Sequence, residues 1–114
     1  MISLLLNDKG EAAARGDCAK DGDVFKIARL ANTIEAISID ADPWLGDAAL
    51  TSATASPNGM TITDEATVSG VFEFKASGEG FTDIALTADD GRVWIGRFEW
   101  TELDRGGRRS DYGW

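Results

Sequence analysis

The side chains of this sequence best equipped for chemistry are carboxylates. Aspartates recur in close pairs at Asp21 and Asp23, Asp40 and Asp42, and Asp89 and Asp90. Oxygen-rich loops of this kind point first to calcium, which takes about 6–8 oxygen ligands. None of the three sets has the Asp-x-Asp-x-Asp-Gly loop and distal Glu of an EF-hand. Aspartate is also favoured in turns, where its carboxylate hydrogen-bonds the local backbone. The pairs are therefore read as turn and solubility residues, and no metal is expected. Two carboxylates flanking a cleft would serve glycoside hydrolysis, but among 20 acidic residues in 114 some pair falls close by chance. A chain this short has little surplus length to wall a sugar cleft. His is absent and Cys18 is the single cysteine, which removes the imidazole base, the histidine metal ligand and any intrachain disulfide together. No catalytic residue and no cofactor is expected.

Two short motifs invite a functional reading without sustaining it. Ser77-Gly78-Glu79-Gly80 looks like a phosphate loop, yet no Lys-Ser or Lys-Thr follows and strands flank it on both sides, so it is read as a hairpin turn. Arg15-Gly16-Asp17 spells a cell-adhesion tripeptide, but three letters arise easily by chance, and a lone free thiol suits a reducing compartment. The charge balance, 11 basic against 20 acidic residues with a net of -9, opposes nucleic-acid binding, whose affinity scales with the phosphates that basic side chains neutralise. A bilayer span needs about 20 apolar residues and a secretory h-region about 7–15. The run Met1 to Leu6 ends at Asn7-Asp8 and is read as a strand, so neither a membrane nor a nucleic-acid partner is expected.

The elements available to position these residues are strands. From Ile34 onward, short alternating stretches are separated by Gly, Asp, Asn and Pro, the spacing of an all-β sandwich or barrel. Ile37 and Ile39 alternate with polar neighbours, and the chain then breaks at Asp42-Pro43, where proline holds the preceding residue extended. The block from Val71 to Trp100 reads as three strands and two turns. Phe72, Phe74 and Ala76 share one face, Ile84, Leu86 and Ala88 another, and Trp94, Phe98 and Trp100 a third. Asp90-Gly91 between apolar runs is a strong hairpin signal. The expected core is Phe72, Phe74, Ile84, Leu86, Trp94 and Phe98.

The two ends read differently. Residues 1–33 are expected to be an N-terminal extension whose apolar stretches, Leu4 to Leu6 and Val24 to Leu30, extend a sheet or serve assembly. Glu11-Ala12-Ala13-Ala14-Arg15 is read as a loop or one helical turn. Residues 34–102 are expected to form the sandwich, and 103–114 a flexible C-terminal tail. Between Glu35 and Asp90 lie eleven acids and one base, Lys75. Arg105, Arg108, Arg109, Tyr112 and Trp114 cluster in the tail, and Arg, Tyr and Trp dominate interface hot spots. These five are the candidate partner-binding residues.

From residue 40 to 100, the order Trp44-Leu45-Gly46-Asp47, Leu50 and Ser52, Gly59-Met60-Thr61-Ile62, then Val71 through Asp89-Asp90-Gly91-Arg92, resembles the small tailed-phage virion proteins called fibre-tail adaptor proteins. That family has a Trp-Leu corner before a strand, a Gly-rich hairpin, and a Gly-Arg turn into the last strand. The resemblance implies an immunoglobulin-like antiparallel β-sandwich used as a multi-copy structural part, linking tail or head-tail components to fibres. It would be made in the host cytoplasm and located in the virion, with portal, tail, fibre or capsid proteins as partners and with copies of itself. Strand count, turn spacing and a length near the ~100 residues of such domains suit the same fold. Capsid decoration and a generic surface or glycan-binding module are the other functions such a domain could serve.

Overall fold

The computed structural model describes residues 1–103, and nearly all of their regular structure is strand. In chain order the strands are β1 (Ile2–Leu6), β2 (Ala12–Arg15), β3 (Ala19–Asp21), β4 (Val24–Leu30), β5 (Glu35–Asp40), β6 (Leu50–Asn58), β7 (Thr61–Val68), β8 (Val71–Ser77), β9 (Gly80–Ala88) and β10 (Val93–Leu103). A single short helix, α1 (Asp42–Leu45), stands between β5 and β6. Two five-stranded sheets result, sheet A in the order β2-β1-β5-β8-β7 and sheet B in the order β3-β4-β10-β9-β6.

The two-residue period decides which side chains meet between the sheets. Sheet A turns in Ile2, Leu4 and Leu6, Ile37 and Ile39, and Phe72, Phe74 and Ala76; sheet B turns in Phe25 and Ile27, Ile84 and Leu86, and Phe98 and Trp100. Phe98 sits among the rings, 5.5 Å from Phe25 in its own sheet and 6.2 Å, edge-on, from Phe74 in the opposite one. Of the six expected core residues, Trp94 is the exception. It is only partly buried, because it lies near the strand's first residue, and its Nε1 donates to the Gly10 carbonyl at 3.0 Å.

The sandwich differs from the expected antiparallel one in being mixed. β1 pairs parallel with β5, and β4 pairs parallel with β10. Both parallel pairs involve strands from residues 1–33 that are interior to the sheets: β1 lies between β2 and β5, and β4 between β3 and β10. Of the two roles expected for these strands, they take that of extending the chain's own sheets, β1 beside β5 and β4 beside β10. Leaving Ile2, Leu4, Leu6, Phe25 and Ile27 outside would expose apolar area worth about 25 cal/mol per Å². The alanine run also differs from expectation. Ala12–Arg15 is a strand paired with β1, its tertiary pairing overriding alanine's preference for helix.

Ser77–Gly80 is a further departure. It turns no hairpin but carries the chain from sheet A to sheet B, because β8 pairs with β7 and β5 whereas β9 pairs with β10 and β6. The stretches 50–68 and 71–88 run antiparallel and bend at the same level, one at Gly59, the other at Gly78 to Gly80. Gly59 and Gly80 have φ of +84° and +147°, and a Cβ on Gly80 would lie 2.2 Å from the Asn58 carbonyl oxygen. Only glycine lets the two backbones approach this closely.

Candidate interaction surfaces

One end of the sandwich is held by α1 and the β9–β10 turn. Pro43 occupies the first turn of the helix, where its missing N–H costs nothing, and Trp44 and Leu45 are buried. A helix this short leaves few of its last carbonyls with helical partners, although the Leu45 oxygen accepts from the Ala48 N–H at 3.0 Å. Arg92 caps this end, donating to the Trp44 oxygen at 2.6 Å and, as a second donor, to the Leu45 oxygen at 3.0 Å. Its guanidinium lies 4.9 Å from the Trp44 ring centroid and is held from behind by Asp90 at 2.8 Å. Arg92→Ala should therefore lower the unfolding free energy by about 1.5–3 kcal/mol, the usual value of hydrogen bonds from a charged group. Arg92→Lys should recover only part of that, since its donors radiate from one nitrogen, whereas the guanidinium reaches the two carbonyls from two. Urea unfolding of the three proteins measures both.

The opposite end gathers the amino terminus, the ends of β4 and β10, and the start of β5. Arg29 and Glu35 form an ion pair with side chains 17% and 14% exposed, and the Met1 ammonium lies 3.3 Å from the second Glu35 oxygen. Burial raises the Glu35 carboxyl, but the hydrogen bonds and charges of Arg29 and the amino terminus outweigh it and hold the group below its ordinary 4.5. A carboxyl with a depressed folded-state value stabilises the fold above its ordinary value, and that stability is lost as pH falls through the depressed one. Melting temperature followed from neutral pH downward should accordingly begin to fall below 4.5, and Glu35→Gln should flatten that part of the profile. Around this ion pair, Met1, Leu30 and Ile34 are exposed, and Leu103 pairs with Leu30 in the parallel ladder. The five expected partner-binding residues, Arg105, Arg108, Arg109, Tyr112 and Trp114, lie outside the described residues; in sequence they follow directly from this end.

The remaining motifs have structural employment. Gly16 of the Arg15-Gly16-Asp17 tripeptide links β2 to β3, and a Cβ there would meet the Met1 carbonyl oxygen at 2.6 Å. Asp40 accepts from the Asp42 backbone at 3.0 Å, an aspartate turn. Among the described residues no group of three or more acidic, His or Cys side chains is placed to hold a metal ion. Burial pushes the Cys18 thiol up, with Arg29 opposing in part, the reverse of what a nucleophilic cysteine requires. No helix among the described residues is long and apolar enough to cross a membrane. Comparison with protein-family profiles, curated proteins and solved structures finds no match to this chain.

The sequence showed no sign of the Arg29–Glu35 pair, because its members sit in different sheets and are joined by a turn without a recognisable motif. The Arg92 corner had a signal in each half, the Trp-Leu corner and the Gly-Arg turn, but nothing to say that the halves touch.

Proposed function

We propose that this chain is a non-enzymatic structural part of a tailed-phage virion, an adaptor joining tail or head-tail components to fibres. The observation that carries the reading is the Arg92 corner. Two of the stretches on which the family resemblance rests, Trp44-Leu45-Gly46 and Asp90-Gly91-Arg92, are bound to each other there. The immunoglobulin-like assignment belongs to the same proposal, supported by the two-sheet sandwich and by the antiparallel pairs of β8 with β5 and β7, and of β9 with β10 and β6. Capsid decoration would use the same architecture at a different place on the particle. A glycan-binding module draws less support: the depression on the outer face of sheet A, about 440 Å³, is lined by Leu5, Arg15, Ser38, Asp40 and Val71 but by no aromatic ring on which a sugar could stack.

In this reading the partners are other virion proteins. Arg105, Arg108, Arg109, Tyr112 and Trp114 make the contact, residue types that dominate interface hot spots; in sequence they follow Leu103, at the end of the sandwich where Met1, Leu30 and Ile34 are exposed. Deleting residues 104–114 should leave the melting temperature unchanged and reduce incorporation into particles. Unchanged incorporation would remove the segment from the proposal, and a collapsed melting temperature would make it part of the fold. Electron microscopy of particles carrying a labelled copy separates tail from capsid placement.

A further inference from the structure

An unpaired strand edge exposes a row of backbone donors and acceptors, and proteins ordinarily protect such edges with charge, bulges, proline or brevity. Three of the four edges of this sandwich are protected. β2 has four residues and ends in Arg15, and β3 has three, including Lys20 and Asp21. β7 is longer but is broken by a bulge between Thr63 and Ala66. That bulge holds Asp64, at φ +56°, and Glu65, and the Asp64 carboxylate is 3.3 Å from Lys75. β6 is the fourth. Its irregularity at Leu50/Ser52 and its Pro57 lie toward its two ends; between them it pairs with β9 without interruption, and it has no charged residue along its whole length.

The uninterrupted stretch before Pro57 is Ser52-Ala53-Thr54-Ala55-Ser56, which reads the same in both directions. Ala53 and Ala55 face the sandwich interior, and Ser52, Thr54 and Ser56 are exposed. A two-fold contact requires that residue i meet j and j meet i. An antiparallel pair of such strands centred on Thr54 satisfies this at every position: Thr54 faces its own copy, Ser52 faces Ser56, and Ala53 faces Ala55. The hydroxyls then align as Thr–Thr and Ser–Ser cross-strand pairs, which stabilise a ladder. Two bodies that each carry a net charge of -9 repel one another, and an uncharged edge is where they can approach at least cost. The nearest charged pair on that face, Arg97 and Asp83, is already closed by bonds of 2.7 and 3.0 Å.

We infer that β6 is a homodimerisation edge, pairing antiparallel with β6 of a second copy about a two-fold axis at Thr54 to join the two B sheets into one. The inference does not depend on the virion reading, since it concerns the isolated chain.

Light scattering and sedimentation of the full chain over a concentration series should show a monomer–dimer equilibrium. Thr54→Lys places two ammonium groups opposite each other at the axis and should weaken association at least tenfold without changing the melting temperature. In a Cys18→Ser background, Thr54→Cys should cross-link to itself under mild oxidation. Ser52→Cys alone should not, whereas a mixture of Ser52→Cys and Ser56→Cys chains should. A chain monomeric at every concentration, a dimer indifferent to Thr54→Lys, or cross-linking through Ser52→Cys alone overturns the inference. If the lysine variant does not fold, the cross-linking pattern decides.

Discussion

Phe98→Ala is expected to lower the unfolding free energy by about 3–5 kcal/mol, the usual cost of removing a buried phenylalanine. For a domain whose total stability is of order 5–15 kcal/mol this is close to loss of the fold. Phe98 is fully buried and is the ring through which the sheets touch, against Phe25 on one side and Phe74 on the other. Its loss leaves a cavity that neither sheet can fill alone, since each is fixed by its own ladder. Phe74→Ala should cost a similar amount. The double variant should cost less than the sum, because both single changes remove the same inter-sheet contact. Denaturant unfolding of the parent, the two single variants and the double variant measures the coupling. Full additivity would show that Phe74 and Phe98 do not support each other.

Gly80→Ala should be nearly as damaging although it adds a single methyl. The residue has φ +147° and its new Cβ would sit 2.2 Å from the Asn58 oxygen and 2.9 Å from the Gly59 Cα. Both obstacles are backbone, so no side chain can swing aside. Backbone strain of about 1–3 kcal/mol and a comparable overpacking cost together predict a loss of about 2–6 kcal/mol. Gly91 is the control, having φ +93° but nothing within 4 Å of an added Cβ. Gly91→Ala should cost only about 1–2 kcal/mol, the left-handed penalty alone. Equal melting temperatures for the two variants would show that the crossing at Gly59 and Gly80 is looser than described.

Much of the sandwich was legible because alternation is a local property. The inward faces of β8, β9 and β10 follow from Phe72 and Phe74, Ile84 and Leu86, and Phe98 and Trp100 without knowledge of any partner strand. Pairing is not local, and there the reading ran out. Nothing in Ile2, Leu4 and Leu6 says that their neighbour is a parallel strand beginning at Glu35, and nothing in Ser77–Gly80 distinguishes a turn within one sheet from a step between two. Both need glycine, and only the distance to Asn58 separates them. The alanines at 12–14 failed for another reason, since their intrinsic preference is weak and a paired edge outweighs it. Among the candidate interaction residues, the edge at Ser52–Ser56 carried a signal in its lack of charge and its symmetry, but that signal has meaning only once the strand is known to lie at an edge.

The parallel ladders also determine when the molecule can fold. β4 is complete by Leu30, yet its parallel neighbour β10 begins at Val93 and pairs Arg97 with Val24, so the centre of sheet B cannot form until the last strand has been synthesised. At a translation rate of about 5–20 residues per second, Phe25 and Ile27 wait for seconds without the neighbour that covers them. Pairings this distant in sequence place the chain among slow folders, in roughly the millisecond-to-second range, and β10 should be structured late or not at all in the rate-limiting state. Trp100, buried on that strand, would give its fluorescence change in the final kinetic phase, and a nascent chain stalled before residue 93 would present its apolar N-terminal strands to chaperones.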